Sequence, residues 1–191
     1  MTNHTASEVA VTQEPLEMAY LAGGCFWCLE AIFSSIGGVR QVISGYCGGQ
    51  SPNPDYQAVC GGETGHAETV RIEFDPRVVS YITLLEVFFS IHDPTTLNRQ
   101  GHDIGTQYRS AIFYQDDTQR DSARAIVRKL TETGHFPQPI VTEIAPVGTF
   151  YPAENHHQRY YWQNRQAPYC QAVIAPKIAA FLRQHPALFD D

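Results

Sequence analysis

Two glycines, Gly23 and Gly24, divide an apolar run from an amphipathic one, and a Cys-x-x-Cys pair, Cys25 and Cys28, stands on the division. Before it, Leu16 to Leu21 is apolar enough for a buried strand. After it, Leu29, Ile32, Phe33 and Ile36 recur at helical spacing. The chain must therefore change from strand to helix at the cysteines, with Cys25 near a helix N-terminus. Backbone N–H groups there lack intrahelical partners and the dipole is positive, so a thiolate is favoured. The expectation is a Cys25 with a lowered pKa that acts as a nucleophile. Cys28 lies one helical turn on. That spacing leaves Cβ atoms about 5–6 Å apart, whereas a disulfide wants about 3.5–4.5 Å. A small adjustment of the first turn lets Cys28 capture an oxidised Cys25.

The rest of the chain alternates short strands and helices. Val39–Tyr46 reads as a strand, and residues 48–65, rich in Gly, Pro, Asn and Ser, as a long loop with one helical turn at Tyr56–Cys60. His66–Phe74 alternates as a strand stopped by Asp75-Pro76, and Ser80 is placed to cap a helix running to Ile91. A second polar loop, Asp93–Tyr108, leads into a strand at Ser110–Gln115 and a helix from Asp116 or Asp117 to Gly134. Ile140–Val147 is expected as a strand, Ala153–Gln163 as a helix, Gln171–Ile174 as a short extended piece, and Pro176 as the opening of a last helix. This order suggests an α+β domain, a two-layer mixed sheet with packed helices.

With 191 residues, one domain is expected, residues 16–191, preceded by a polar tail over 1–15 that lacks the features of a secretory signal. A formal charge of −7 with no Lys/Arg cluster argues against nucleic acid, and no apolar stretch reaches the length of a membrane span. Five cysteines, an odd number, argue against a secreted disulfide framework and for a cytoplasmic protein. Zinc is not expected: Cys47 and Cys60 are not a second close pair, and His156-His157 is an adjacent doublet. Cys47 and Cys60 read as structural.

Glu68 shares a strand face with His66 and projects beside Val70 and Ile72. Taken alone, a glutamate at a strand start is usually a solvated charge. If buried, its pKa rises and it becomes a proton donor at neutral pH. Tyr56 and Tyr108 lie in the polar loops and, taken singly, read as half-buried surface tyrosines, while Asp103, between Gly101 and Gly105, reads equally as a turn residue or a site anchor. A thioredoxin-like dithiol oxidoreductase also uses strand-CxxC-helix, but it does not account for Glu68, Tyr56 and Tyr108 as a set.

Together these residues resemble the peptide methionine sulfoxide reductases of the A type, from about Tyr20 to the C-terminus. The resemblance rests on Gly24-Cys25-Phe26-Trp27, Gly45-Tyr46 with Gly48-Gly49, Gly65-His66-Ala67-Glu68, His92-Asp93-Pro94-Thr95, and Arg99-Gln100-Gly101 through Gly105-Thr106-Gln107-Tyr108-Arg109-Ser110. It implies a fold of ferredoxin-like plait character and thiol-dependent reduction of the S epimer of methionine sulfoxide, free or in proteins. It implies Cys25 as nucleophile, Phe26 and Trp27 as the wall for the substrate methyl group, Glu68 as acid with Tyr56 and Tyr108 beside it, and Asp103 as a helper. No metal or organic cofactor is implied, and thioredoxin is the expected reductant of a monomeric enzyme. The sequence departs from the family pattern at Cys28, where glycine is frequent, and at His102, where asparagine is common. Cys28 is thus the expected resolving partner, with Cys170 either a second relay or a buried thiol.

Overall fold

The computed structural model describes residues 15–189, so the expected tail lies outside them apart from Pro15. The strands are β1 (Glu17–Gly23), β2 (Val39–Cys47), β3 (Ala67–Phe74), β4 (Arg99–Gln100), β5 (Asp103–Ile104), β6 (Ser110–Tyr114), β7 (Glu143–Pro146) and β8 (Tyr151–Pro152). The helices are α1 (Phe26–Phe33), α2 (Tyr56–Cys60), α3 (Tyr81–Ile91), α4 (Asp117–Glu132), α5 (Tyr160–Gln163) and α6 (Ala175–Gln184).

Six strands form one sheet in the order β7-β6-β1-β3-β2-β8. All neighbours are antiparallel except β6 and β7, which α4 connects in parallel. The central order β6-β1-β3-β2 carries two split β-α-β units, β1-α1-β2 and β3-α3-β6, each enclosing one strand of the other. This is the ferredoxin-like plait.

Strand parity assigns the two faces. Ala19, Leu21, Val70, Ile72, Phe74 and Ile112 join the main core, with α1, α3 and α6. Residues of opposite parity, Ala22, Ala67, Ala111 and Phe113, form a smaller cluster that Val147 and Phe150 help to cover. Both faces are therefore apolar, and β3 is buried along most of its length. Glu68 has the parity of Val70 and Ile72, so it points into the main core towards the start of α1.

Three expected elements differ. Residues 153–163 are not one helix: a 3-10 turn at Asn155–His157 and the short α5 are separated by Arg159, which is left-handed at φ 52°. The strand expected over 140–147 shortens to β7, because only 143–146 pair with β6. Gln171–Ile174 is not extended but part of a π-helical stretch, Cys170–Ile174, that runs directly into α6. Apolar residues in a short window fit either state, and the packing of Cys170 and Ile174 into the core selects the helical one.

Candidate active site

The strand-to-helix turn is built on Gly24 at φ 94°, where a Cβ would stand 2.6 Å from the Gln100 side chain. Only glycine combines that dihedral with that close approach. Cys25 follows as the N-cap of α1, its carbonyl accepting from the N–H groups of Cys28 (3.1 Å) and Leu29 (3.4 Å). The helix thus opens at Phe26, with Cys25 at its N-terminus as the sequence placed it. The Phe26 N–H donates to Glu68 Oε2 at 3.0 Å, so the carboxyl takes the first of the amides that have no partner within α1.

Glu68 is only 1 % exposed. Burial drives its pKa well above the ordinary carboxylate range, the nearby Cys25 sulfur adds to the rise, and the Phe26 amide offsets part of it. The structure resolves the alternative left open by the sequence: Glu68 is a buried acid, not a solvated charge.

Cys25 departs from its sequence expectation. Its thiol is raised well above the usual range, first by burial and then by the neighbouring Cys28. The Tyr169 hydroxyl and the Trp27 amide pull the other way and lose. The helix N-terminus does aim at Cys25, but desolvation outweighs it. Cys28 moves downward, because its hydrogen bond with Cys25 outweighs its own burial. Of the two neighbouring sulfurs, Cys25 is thus the one that holds its proton and Cys28 the one more readily ionised.

Phe26 is wholly buried, whereas Trp27 is half-buried and carries the accessible aromatic surface. The Trp27 ring stacks on Tyr160 at 3.7 Å and 9°, and its indole N–H donates to His157 Nδ1 at 3.3 Å. Tyr56 opens α2, and Tyr108 closes a 3-10 turn, Thr106–Tyr108. Burial raises both phenols, with the Glu68 charge second, so both remain hydrogen-bond donors. Asp103, half-buried on β5, accepts from the Tyr169 hydroxyl at 3.2 Å.

The two polar loops are tied to the scaffold and to each other. His66 is buried; its Nδ1 accepts from the Gly49 N–H (3.0 Å) and its Nε2 lies 2.8 Å from the Ser51 carbonyl, pinning the first loop. Thr106 Oγ1 donates to the Gly62 carbonyl (3.3 Å) and Gln107 Nε2 to the Cys60 carbonyl (3.3 Å), joining the second loop to the first. His92, from the next motif, spans Phe88 O (2.6 Å) and Ser110 Oγ (2.8 Å), and burial lowers its pKa to about 4, which keeps it neutral.

Four residues of this surround were not legible as site residues in the sequence. Glu154 accepts from the Tyr56 N–H (3.0 Å) and the Tyr46 hydroxyl (3.1 Å), which seats Tyr56. His157 orients Trp27, Tyr160 backs it, and Tyr169 links Asp103 to the thiols. All four lie in the segment where periodicity gave the poorest reading. Glu154, His156 and His157 bring their donor atoms within 4.8 Å of one another, but the Glu154 oxygens and His157 Nδ1 already serve Tyr56, Tyr46 and Trp27.

Among the remaining cysteines, Cys170 is fully buried, and its thiol is raised by burial and then by Cys25. Cys47 is buried in the smaller cluster. Cys60 is exposed; it ends α2 one turn after Tyr56. A cleft of ≈ 750 Å³ opens away from Cys25: it is lined by Glu30, Arg40, Val42, Gln158, Arg159 and Trp162 among others, along the outer edge of β2. Neither the thiol pair, nor Glu68, nor Tyr56 or Tyr108 lines it.

Residues 17–188 match the family model "Peptide methionine sulfoxide reductase". The chain is 55% identical over 176 residues to a peptide methionine sulfoxide reductase MsrA of Chromobacterium violaceum, covering 92% of this chain and 100% of the relative. It is 53% identical over 185 residues to the MsrA of Deinococcus radiodurans, covering 97% and 89%. Among solved structures it resembles reduced Mxr1 from Saccharomyces cerevisiae, with a TM-score of 0.76, 34% identity and coverage of 85% and 94%. With a plait, a thiol pair and a buried acid on one helix N-terminus, and with these relatives spanning nearly the whole chain, the protein belongs to the peptide methionine sulfoxide reductase family.

Proposed function

We propose that this chain reduces the S epimer of methionine sulfoxide, free and in proteins, with Cys25 as nucleophile and Glu68 as acid. The supporting observation is the pairing of a buried acid with the Cys25 sulfur across the first turn of α1. A sulfoxide sulfur is a poor electrophile while its oxygen carries negative charge. A neutral carboxylic acid and the phenols of Tyr56 and Tyr108 donate to that oxygen as the sulfur is attacked. Oxygen passes to Cys25, leaving methionine and a Cys25 sulfenic acid. The Cys28 thiol then condenses with the sulfenic acid, forming the disulfide and releasing water.

Two electrons from an external dithiol restore the pair by exchange. Yeast Mxr1 has been solved in complex with Trx2, and thioredoxin is the reductant proposed here. Cys170, fully buried and within electrostatic reach of Cys25, is a second relay only if its helix start moves. Trp27, braced by Tyr160 and His157, is the proposed methyl-group wall, with Phe26 as its buried floor. We place the enzyme in the cytoplasm as a monomer with one catalytic domain, residues 16–191; no helix among the described residues is long and apolar enough to cross a membrane.

The test is a single-turnover assay on the separated epimers of a methionine sulfoxide peptide, without added reductant. One methionine per chain from the S epimer, with a Cys25–Cys28 disulfide found by mass spectrometry, is expected. Reduction of the R epimer alone, or a disulfide that omits Cys25, overturns the assignment.

A further inference from the structure

We propose that the cleft along the outer edge of β2 holds the polypeptide that flanks the oxidised methionine of a peptide substrate, paired to β2 as an added strand. This rests on the sulfoxide being reduced at Cys25. The edge is open: β8 pairs only with Gly45 and Tyr46 of β2. At the next residue a side chain stands in for a strand. Gln158 Oε1 accepts the Ser44 N–H (3.0 Å), and Gln158 Nε2 donates to the carbonyls of Ser44 (2.8 Å) and Ala153 (2.9 Å). Ser44 therefore turns its backbone outward. Alternate residues of a strand turn theirs to the same edge, and the β2–β3 register runs without a break from Val42 to Ser44. The Val42 N–H and C=O thus point outward too, one step beyond Gln158, and no described strand covers them. An open edge of this kind takes an extended chain.

The cleft beside that edge has the size and lining for such a chain. Its ≈ 750 Å³ falls within the range of about 300–1,000 Å³ usual for ligand sites. Val42 lies along it, and Trp162 supplies a half-buried aromatic wall. Its exposed charges are Arg40 and Arg159. Its one acid, Glu30, is buried and already accepts the Arg159 N–H. Flanks that carry Asp or Glu therefore suit it better than flanks that carry Lys.

The cleft is also continuous with the candidate active site. Asn155 lines it, and His157, two residues on in the same 3-10 turn, accepts the Trp27 indole N–H. Glu30 lines it as well and stands three residues after Trp27 on α1, a spacing that puts both on one helix face with Cβ atoms about 5–6 Å apart. A chain whose methionine side chain lies against Trp27 advances about 3.3 Å per residue when extended, so its flank enters the cleft within a few residues. The occupant is therefore an unfolded stretch of the substrate itself, held by its backbone and so without a fixed sequence.

The test compares free methionine S-sulfoxide with a peptide that carries the S-sulfoxide at its centre, with acidic flanks of about five residues a side, roughly 16 Å each when extended. The peptide should show a KM about three to ten times lower at the same kcat, the scale of one or two backbone hydrogen bonds that act on binding alone. N-methylation of alternate flank residues should abolish the gain in one parity and spare it in the other, since a paired strand donates to its neighbour from every second residue. In the full chain with Cys25→Ser, which binds the peptide without turning it over, the peptide should slow hydrogen exchange of the Val42 amide by at least about tenfold, and free methionine sulfoxide should not. The proposal fails if the two substrates share one KM, if both N-methyl parities act alike, or if the peptide leaves Val42 exchange unmoved. It also fails if Val42 is already protected in a dimer of the free chain, which gives the edge to a second copy. Should the wild type reduce neither substrate, the assignment of Cys25 and Glu68 falls, and the Val42 exchange result still decides this proposal by itself.

Discussion

Glu68 and Glu30 are both glutamates buried to within 2 % of full enclosure, both beside α1, and they serve different ends. Glu68 sits at the first amide of α1 and faces a thiol. Glu30 sits inside α1; its Oε1 accepts the Arg159 N–H at 2.8 Å, and its Oε2 has no hydrogen-bond partner. Burial raises its pKa to about 7, partly offset by the Arg159 and Tyr160 amides. It borders the cleft beside β2, which no cysteine lines. Desolvation alone therefore does not make a catalytic acid. Glu68 is the one proposed as the acid because its buried carboxyl also faces the Cys25 sulfur.

The comparison can be broken most severely at Cys25. Cys25→Ser should lower sulfoxide reduction by more than about 10³-fold, the scale of removing a nucleophile; measurable single turnover in that variant would move the chemistry away from α1. Glu68→Gln should slow the reduction step by about 10²–10³-fold. In the wild type the rate should rise with pH as the Cys25 thiol ionises and fall as Glu68 loses its proton. In Glu68→Gln the falling limb should vanish, and a limb that persists would give the acid role to another group. Cys28→Ser should still release one methionine per chain but lose thioredoxin-driven turnover unless Cys170 substitutes. Full turnover in the Cys28→Ser, Cys170→Ser double variant would exclude both from recycling.

Smaller effects follow for the groups that position others. Glu154→Ala removes a carboxylate that holds the Tyr56 amide, and a fall in kcat/KM of about tenfold is expected, as for one charge-assisted hydrogen bond. For Glu30 the readout is stability. Its folded pKa lies above its unfolded value, so between about pH 4.5 and 7 the folded state binds more protons and stability falls as pH rises. The total is at most ~3 kcal/mol. Glu30→Gln should flatten that slope in a pH series of denaturation midpoints while leaving the single-turnover rate within about twofold, the ordinary scale of a change remote from the chemistry.

Much of the plait was legible because its elements carry strong local signals. Ser80 caps α3 by accepting from the Thr83 N–H (3.1 Å), and Asp116 caps α4 by accepting from the Gln119 N–H (2.8 Å), as their positions before apolar periods suggested. The turn at Tyr56–Cys60 was visible too, with Asp55 capping it. Residues 151–174 were read poorly. Their elements are three to five residues long, too short for a period to show, and they are fixed by contacts across the chain: Glu30 with Arg159, Glu154 with Tyr56, His157 with Trp27. The same contacts explain why Tyr160 and Tyr169 went unrecognised.

The sequence by itself determined that strand turns to helix at Cys25, that two thiols stand one turn apart, and that two polar loops carry Tyr56, Asp103 and Tyr108. Those features depend on neighbours within a few residues, through dihedral limits at Gly24 and helical spacing after it. Tertiary structure decided the protonation of the site. Whether Glu68 is an ordinary charge or a buried acid, and whether Cys25 rests as thiolate or thiol, depends on how much water β3, α1 and the Tyr169 helix exclude together. Desolvation is a property of the assembled core, and no local pattern encodes it.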